Sequence, residues 1–529
     1  MGDRCHATHN ADRAGPLPAA GATDGHGTIK RIAHGHRISA LDASFLHLEK
    51  AGARLHVASV TVFDGPTPPY DELRELVESR LHLVPRFRQR LADVPLDQGR
   101  PVWVDDPHFN LRYHLRHAGL PAPGSEEQLK NLAGRLFAQR LDRTKPLWEM
   151  WLVDGLRAHA DKGTARNSRV GRFALVAKSH HTLVDGIEAV DITTVLVDAE
   201  PSPARPAAPR AWTPRPLPTP AQLLTDALVE RATRPQELAR SVRAVVRTPR
   251  ELLRGARDGL QAMGALAFAG LRPAPPTPLN VKVGPHRRYT WVDAELAELR
   301  RVKDALGGTV NDAVLAVVAG ALGRFLRHRG VDTGGVLLRA LVPVLVRGEG
   351  QGRALGSEVA PMWVSLPVGI EDPVRQHAAI RDATAELADA EQAVGARALT
   401  ELAGFAPPTI MSQAARLQQR QRFFNLVVTN VPGPQQPLYL LGRELRALYP
   451  VVPLAGRQAL GVAVMSYNGR LGFGLLGDYD ALADLDTLAD MLRRSIDALA
   501  DGASVPRRAA RGRSGRSARR PARGGASEA

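Results

Sequence analysis

The chain has 529 residues, one cysteine and a formal net charge of +16 at pH 7. A single cysteine excludes a framework of disulfide bonds, and the polar first thirty residues lack the apolar stretch of a secretory signal. No uncharged apolar run approaches the roughly 18 residues that a membrane-spanning helix needs. The length is sufficient for two domains with hydrophobic cores, and the sequence predicts a cytoplasmic protein that at most contacts a membrane peripherally.

Composition divides the chain into five predicted segments. They are a disordered lead at 1–36, a first domain at 37–200, a Pro/Arg-rich linker with a helical crossover at 201–279, a second domain at 280–502, and a disordered basic tail at 503–529. The tail carries eight arginines against one glutamate, a net charge of +7. It is predicted either to contact anionic lipid head groups or only to aid solubility. Because no aromatic residues interleave the arginines, no nucleic-acid partner is expected.

Two adjacent histidines, His180 and His181, follow a predicted strand over residues 172–179 and precede a predicted helix over residues 187–199. Side chains alternate along an extended backbone, so the two rings are expected to point in opposite directions. A neutral imidazole can take a proton from a hydroxyl and return it to a leaving group. Asp185 occupies the predicted N-cap, and Gly186 allows close approach of the backbone. The alternative is a packed or surface pair of histidines; without a third ligand at metal spacing, no metal site is expected.

The second domain contains three further patterns. Thr309 and Asp312 form a variant of the capping box at the start of a predicted helix with apolar residues at a spacing of three to four. A predicted strand over residues 424–430 ends in the turn Val431-Pro432-Gly433-Pro434. The pair Asn468-Gly469 predicts the turn of a β-hairpin.

Taken together, these motifs resemble the bacterial wax ester synthase/acyl-CoA:diacylglycerol acyltransferase family, relatives of chloramphenicol acetyltransferase and of peptide-synthetase condensation domains. The resemblance covers about residues 38–499. Its landmarks, in chain order, are Leu41-Asp42-Ala43-Ser44-Phe45-Leu46, Pro146-Leu147-Trp148-Glu149, His180 to Gly186, Asn311-Asp312 and Asn430-Val431-Pro432-Gly433-Pro434. The chain departs from the family pattern in its long lead, its arginine tail, and Gly356-Ser357 where Gly-Asn is expected.

The resemblance implies an α/β fold of two chloramphenicol acetyltransferase-like sandwich domains with mixed sheets and a helical crossover linker. The histidines are then expected at the domain interface, in a channel open at both ends. It implies that His181 is the catalytic base and that His180, Asp185, Gly186 and Asn311 support it. Channel-lining roles are implied for Pro146, Leu147, Trp148, Asn430, Pro432 and Gly433.

The resemblance also implies direct transfer of a long-chain acyl group from acyl-CoA to the hydroxyl of diacylglycerol or of a fatty alcohol. Acyl-CoA is then a substrate, and no cofactor and no metal are expected. Both acceptors partition into membranes, which is in line with peripheral contact with a membrane or lipid inclusion. Two alternatives remain open: a condensation-type enzyme that forms acyl or amide products, and a non-catalytic protein on the surface of lipid inclusions.

Overall fold

A computed structural model describes most of the chain and leaves several segments undescribed. The described residues are 36–39, 42–43, 45–46, 49, 54–157, 171–184, 192–202, 212–230, 274–346, 358–393, 424–454 and 456–504. Predictions for Asp185, Gly186, Gly356-Ser357, most of the lead, most of the crossover and the basic tail lie outside these residues.

The described elements mix strands and helices throughout. The strands are β1 (His36–Arg37), β2 (His56–Asp64), β3 (Gln89–Ala92), β4 (Val102–Asp105), β5 (Leu115–Gly119), β6 (Trp148–Leu156), β7 (Arg172–His180), β8 (Arg287–Glu295), β9 (Leu337–Val346), β10 (Glu358–Pro367), β11 (Leu426–Pro432), β12 (Tyr439–Leu440), β13 (Arg443–Val451), β14 (Leu460–Tyr467) and β15 (Arg470–Asp478). The helices are α1 (Tyr70–Arg80), α2 (Leu111–His114), α3 (Glu126–Ala138), α4 (His181–Val184), α5 (Ile192–Leu196), α6 (Leu296–Leu306), α7 (Val310–His328), α8 (Pro373–Ala393) and α9 (Leu485–Ser504).

The strands form two six-stranded sheets and one small sheet. The first sheet has the order β12-β13-β2-β7-β6-β5, the second β10-β9-β11-β14-β15-β8, and the small sheet β1-β4-β3. Both large sheets contain parallel and antiparallel pairs: β5 is parallel to β6, and β11 is parallel to both β9 and β14. The predicted α/β architecture with mixed sheets is therefore confirmed.

The two large sheets pack on a common core, and the second half of the chain also supplies strands to the first sheet. Strands β12 and β13 come from the second half of the sequence but lie in the first sheet, where β13 pairs with β2 from Glu444–Asp64 to Val451–Ala58. Tyr449 of β13 stacks on Trp291 of β8 with ring centroids 4.6 Å apart. The complete first sheet therefore contains strands from both halves of the chain.

Several predicted elements are confirmed in detail. The strand before the histidines is β7, and the capped helix is α7, where the Thr309 side chain accepts from the backbone N–H of Asp312 and the Asp312 side chain accepts from that of Thr309. The hairpin joins β14 to β15, with Asn468 and Gly469 at φ of 43° and 79°. Both φ values lie in the left-handed region that this two-residue turn needs.

One predicted boundary is wrong. Strand β11 does not stop at Asn430 but runs through Val431 and Pro432, which pair with Met465 and Ser466 of β14. Proline lacks a backbone donor, so it is tolerated at the end of a strand, where a missing ladder hydrogen bond costs least. The turn therefore begins after Pro432.

Helix α7 forms the centre of the second hydrophobic core. Its residues are buried nearly all round, and α6, α8 and α9 pack beside it. Within the described part of the chain, no single helix is long and apolar enough to cross a membrane. Helices α6 and α7 meet these two criteria only when taken together, and they are bent by 102° relative to each other.

Candidate active site

His180 and His181 lie at the junction between a strand and a helical turn, as predicted. His180 is the last residue of β7, and His181 is the first residue of α4. The His180 N–H donates to the Leu147 carbonyl at 2.9 Å, and the His181 N–H donates to the Leu55 carbonyl at 2.9 Å. The backbone of both histidines is therefore fixed by neighbouring segments of the same half of the chain.

The two imidazoles have different surroundings. The His180 ring is fully buried, with a relative exposure of 0%, and its Nδ1 accepts from the backbone N–H of Thr182 at 3.2 Å. The His181 ring is half-buried and contacts the Phe45 ring, with centroids 4.5 Å apart. Of the two histidines, only His181 is partly exposed, which makes it the more accessible to a reactant.

A buried carboxylate lies beside these histidines. Glu49 Oε2 is 3.5 Å from Nε2 of His180, and Glu49 Oε1 is 3.3 Å from Nε2 of His56. His56 faces His180 across the β2–β7 pair. Burial alone would raise the pKa of Glu49, but the adjacent His180 and His56 rings hold it below its ordinary value. Burial lowers the pKa of His56 to about 4, so His56 is neutral at pH 7.

A second buried charged group lies two residues before His180. The Lys178 ammonium donates to the carbonyls of Leu136 and Gln139, at 3.0 and 3.1 Å, and is 3.4 Å from the Glu149 carboxylate. Burial lowers the pKa of Lys178, while Glu149 opposes that shift. The cation thus joins the end of α3, where carbonyls lack helical partners, to the strand that carries the histidines.

The segment Pro146-Leu147-Trp148 lies directly beside the histidines but in the core. All three residues are buried. Trp148 donates its indole N–H to the Phe87 carbonyl at 2.8 Å and stacks on His114 at a centroid distance of 4.7 Å. Leu147 holds the His180 backbone through its carbonyl. Packing next to His180 is thus their observed role, and contact with an acyl chain stays a prediction.

Asn311 and Asn430 are brought together in the second half. Asn430 ends the predicted part of β11, Asn311 lies in the first turn of α7, and the Asn430 amide donates to Asn311 Oδ1 at 3.3 Å. Both are half-buried. Pro432 is exposed, and the Gly433 N–H donates to Ser466 Oγ at 3.2 Å. The proposed support and channel roles of these residues stay predictions.

Sequence reasoning missed the contribution to the site of Phe45, which lies in the Leu41–Leu46 landmark, and of Glu49, which lies three residues beyond it. Residues 42, 43, 45, 46 and 49 are helical, so Phe45 and Glu49, four residues apart, lie on one helix face. That face contacts His181 through Phe45 and His180 through Glu49. The i, i+4 spacing was a usable signal, but no local pattern connects it to a strand more than 100 residues away. Across the described residues, no cluster of three or more potential metal ligands is found.

Comparison with known proteins assigns the chain to a family. The family model for the wax ester synthase/diacylglycerol acyltransferase catalytic domain matches residues 38–314, and the model for the C-terminal domain of that family matches residues 355–500. A putative diacylglycerol O-acyltransferase of Mycobacterium tuberculosis (strain CDC 1551 / Oshkosh) is 35% identical over 463 residues, which are 86% of this chain and 88% of the relative.

Solved structures agree with that assignment. The wax ester synthase/diacylglycerol acyltransferase of Marinobacter aquaeolei VT8 is 27% identical with a TM-score of 0.60, covering 89% of this chain and 100% of the other. The first condensation domain of the calcium-dependent antibiotic synthetase shares the fold at 18% identity and a TM-score of 0.53, covering 89% of this chain and 97% of that domain. The chain therefore belongs to the wax ester synthase/diacylglycerol acyltransferase family.

Proposed function

We propose that this protein transfers a long-chain acyl group from acyl-CoA to the hydroxyl of diacylglycerol or of a long-chain alcohol, with His181 as the general base. Family membership over both halves of the chain is the observation that carries the reaction class. The names of two relatives, a diacylglycerol O-acyltransferase and a wax ester synthase/diacylglycerol acyltransferase, support the two acceptors.

The chemistry needs one proton carrier. An imidazole nitrogen of His181 takes the hydroxyl proton as the oxygen attacks the thioester carbonyl carbon. The new C–O bond forms, and negative charge develops on the carbonyl oxygen. The C–S bond then breaks, and the departing CoA thiolate receives the proton from His181. The products are the ester and free CoA, with no acyl-enzyme intermediate and no cofactor besides the substrate thioester.

The environment of the two histidines supports His181 over His180 for this role. A base must come within hydrogen-bonding reach of the reacting hydroxyl. His181 is half-buried and His180 is fully buried, and His180 already accepts from Thr182. Asp185 and Gly186 are proposed to orient the site, and Asn311 to support it, on family resemblance.

Diacylglycerol is the proposed main acceptor, with wax ester formation as a secondary activity. Apolar chains are poorly discriminated, because one methylene is worth only about 1–3 kcal/mol in a hydrophobic site. Both acceptors partition into membranes, so peripheral contact with a membrane or lipid inclusion belongs to the proposal, aided by the +7 charge of the tail. Unchanged sedimentation with anionic vesicles after removal of residues 505–529 would refute that contribution of the tail.

The reaction is tested with purified protein and labelled palmitoyl-CoA. Dioleoylglycerol, hexadecanol and hexadecylamine are supplied separately, and products are resolved by thin-layer chromatography while released CoA thiol is titrated. We expect triacylglycerol as the main product, a smaller amount of wax ester, and one thiol released per ester. Amide as the main product would support the condensation-type alternative, and the absence of ester from both hydroxyl acceptors would refute the proposed function.

A further inference from the structure

Glu49 is surrounded by two imidazoles and has little contact with water. Its exposure is 7%, against 4% for His56 and 0% for His180. Each carboxylate oxygen faces a different ring, at 3.3 Å and 3.5 Å. These distances are longer than those of well-formed N–H···O bonds. The carboxylate thus lies between the Nε2 atoms of two buried rings, in contact with both but without a formed hydrogen bond to either.

The hydrogen bonding of His180 determines which ring nitrogen carries the proton. The Thr182 backbone N–H donates to Nδ1 at 3.2 Å, and the Thr182 hydroxyl, 2.9 Å from the same nitrogen, is able to donate to it as well, so the geometry favours Nδ1 as the acceptor. A neutral imidazole has one donor and one acceptor nitrogen, which places the proton of His180 on Nε2. That nitrogen faces Glu49. The carboxylate therefore stabilises the tautomer that the Thr182 backbone also selects.

The same helix face connects Glu49 to the proposed base. Phe45 precedes Glu49 by one helical turn and contacts the His181 ring. Side chains four residues apart on a helix have Cβ atoms about 5–6 Å apart. The contacts of Glu49 with His56 and His180 therefore hold in place the segment that packs Phe45 on His181.

We propose that Glu49 is a positioning residue for acyl transfer, acting through His180 and through the Phe45-bearing helix on the base His181. This inference rests on the proposed function of His181. Glu49 is not expected to contact the reacting hydroxyl or the thioester; its effect is on the orientation of the histidine pair.

The test substitutes the carboxylate and leaves the volume almost unchanged. Glu49→Gln removes the charge and replaces one carboxylate oxygen by an NH2 group, which cannot accept from a ring N–H. We expect kcat to fall about 10- to 100-fold, by analogy with the loss of the outer hydrogen-bond partner of a metal-ligating histidine, while KM for both substrates changes less than threefold. Glu49→Asp keeps the charge and should recover part of the loss.

Asp105→Asn is the matched control. Asp105 is also a buried carboxylate, 8% exposed, paired with Arg215 at 2.9 Å, but it lies in the small sheet. Its substitution should leave kcat within about twofold of wild type. Denaturation midpoints of all variants separate loss of fold from loss of positioning. A kcat for folded Glu49→Gln within twofold of wild type, or an equal loss in Asp105→Asn, would overturn the inference.

A spectroscopic measurement reads the tautomer of His180 in the wild-type protein. With ¹⁵N-labelled histidine and assignment through His180→Gln, the ring nitrogens of His180 should show a protonated Nε2 and an unprotonated Nδ1. The reverse tautomer would overturn the inference even if the enzyme makes ester. Conversely, a protein that makes no ester but shows the expected tautomer would refute the proposed function and leave the geometry of Glu49 intact.

Discussion

Two consecutive histidines in this chain differ in what surrounds them, and that difference assigns their proposed roles. His180 is closed in by Thr182, Glu49 and the core, whereas the ring of His181 is partly exposed. The exposure follows from the end of β7, because the backbone changes from extended to helical between the two residues. A base that works on a substrate must be the reachable ring.

Buried histidines also make stability depend on pH. Burial lowers the pKa of both His56 and His114 to about 4, against 6.5 for an exposed histidine. Above pH 6.5 these rings are neutral in both the folded and the unfolded chain. As the pH falls from 6.5 towards 4, these two histidines take up protons only in the unfolded chain, so their contribution to the free energy of unfolding decreases.

His114→Asn tests this prediction by urea unfolding at pH 7.5 and at pH 5. Each of the two histidines should account for about 2 kcal/mol of the stability lost by pH 5. The variant lacks one titrating group, so it should lose about 2 kcal/mol less than wild type between the two pH values, whatever its stability at pH 7.5. An identical pH dependence for variant and wild type would show that His114 does not titrate in this way.

At the scale of elements, the features that were predicted correctly are those that depend on residues close to one another in the sequence. A short apolar run bounded by charged residues predicted β7, the Thr309–Asp312 capping box predicted the start of α7, and Asn468-Gly469 predicted the turn between β14 and β15. The end of β11 was predicted two residues early, because pairing with β14 outweighed the general exclusion of proline from sheets. Tertiary pairing, which no single segment encodes, determined that boundary.

The candidate site was predictable only in part for the same reason. The histidine pair and the Asn311 and Asn430 motifs are visible in the sequence, and the structure joins those two asparagines. Glu49 and His56 were not identified, because their significance arises only when β2 pairs with β7 and the preceding helical segment packs on the strand end. Long-range contacts of this kind have no periodicity to recognise.

At the scale of the whole molecule, the backbone of β15 in the second sheet lies directly against the backbone of β13 in the first sheet. Gly472 and Gly474 of β15 face the carbonyls of Leu448 and Pro450 in β13. A Cβ at Gly474 would lie 1.9 Å from the Pro450 carbonyl oxygen, and one at Gly472 would lie 2.1 Å from that of Leu448. Glycine is therefore required at these two positions for β13, which belongs to the first sheet, to pack against β15 of the second sheet.

Gly474→Ala should accordingly weaken the packing between the sheets. The added methyl group has no space unless β13 moves. We therefore expect the free energy of unfolding to fall by about 1–3 kcal/mol, the usual range for an overpacked core. Gly171→Ala is the control, because a Cβ there meets no atom within 4 Å. Equal denaturation midpoints for the two variants would show that β13 and β15 have room to separate.

The proton-transfer role of His181 is tested most directly by the rate of ester formation in His181→Ala, with palmitoyl-CoA and dioleoylglycerol both saturating. His117→Ala is the control, because His117 is an exposed residue of the edge strand β5 that contacts Asp154 at 2.9 Å. We predict that His181→Ala lowers kcat by about 10²–10⁴-fold, the usual contribution of a general base, and that His117→Ala keeps the wild-type rate. Ester formation by folded His181→Ala at the wild-type rate would contradict the account.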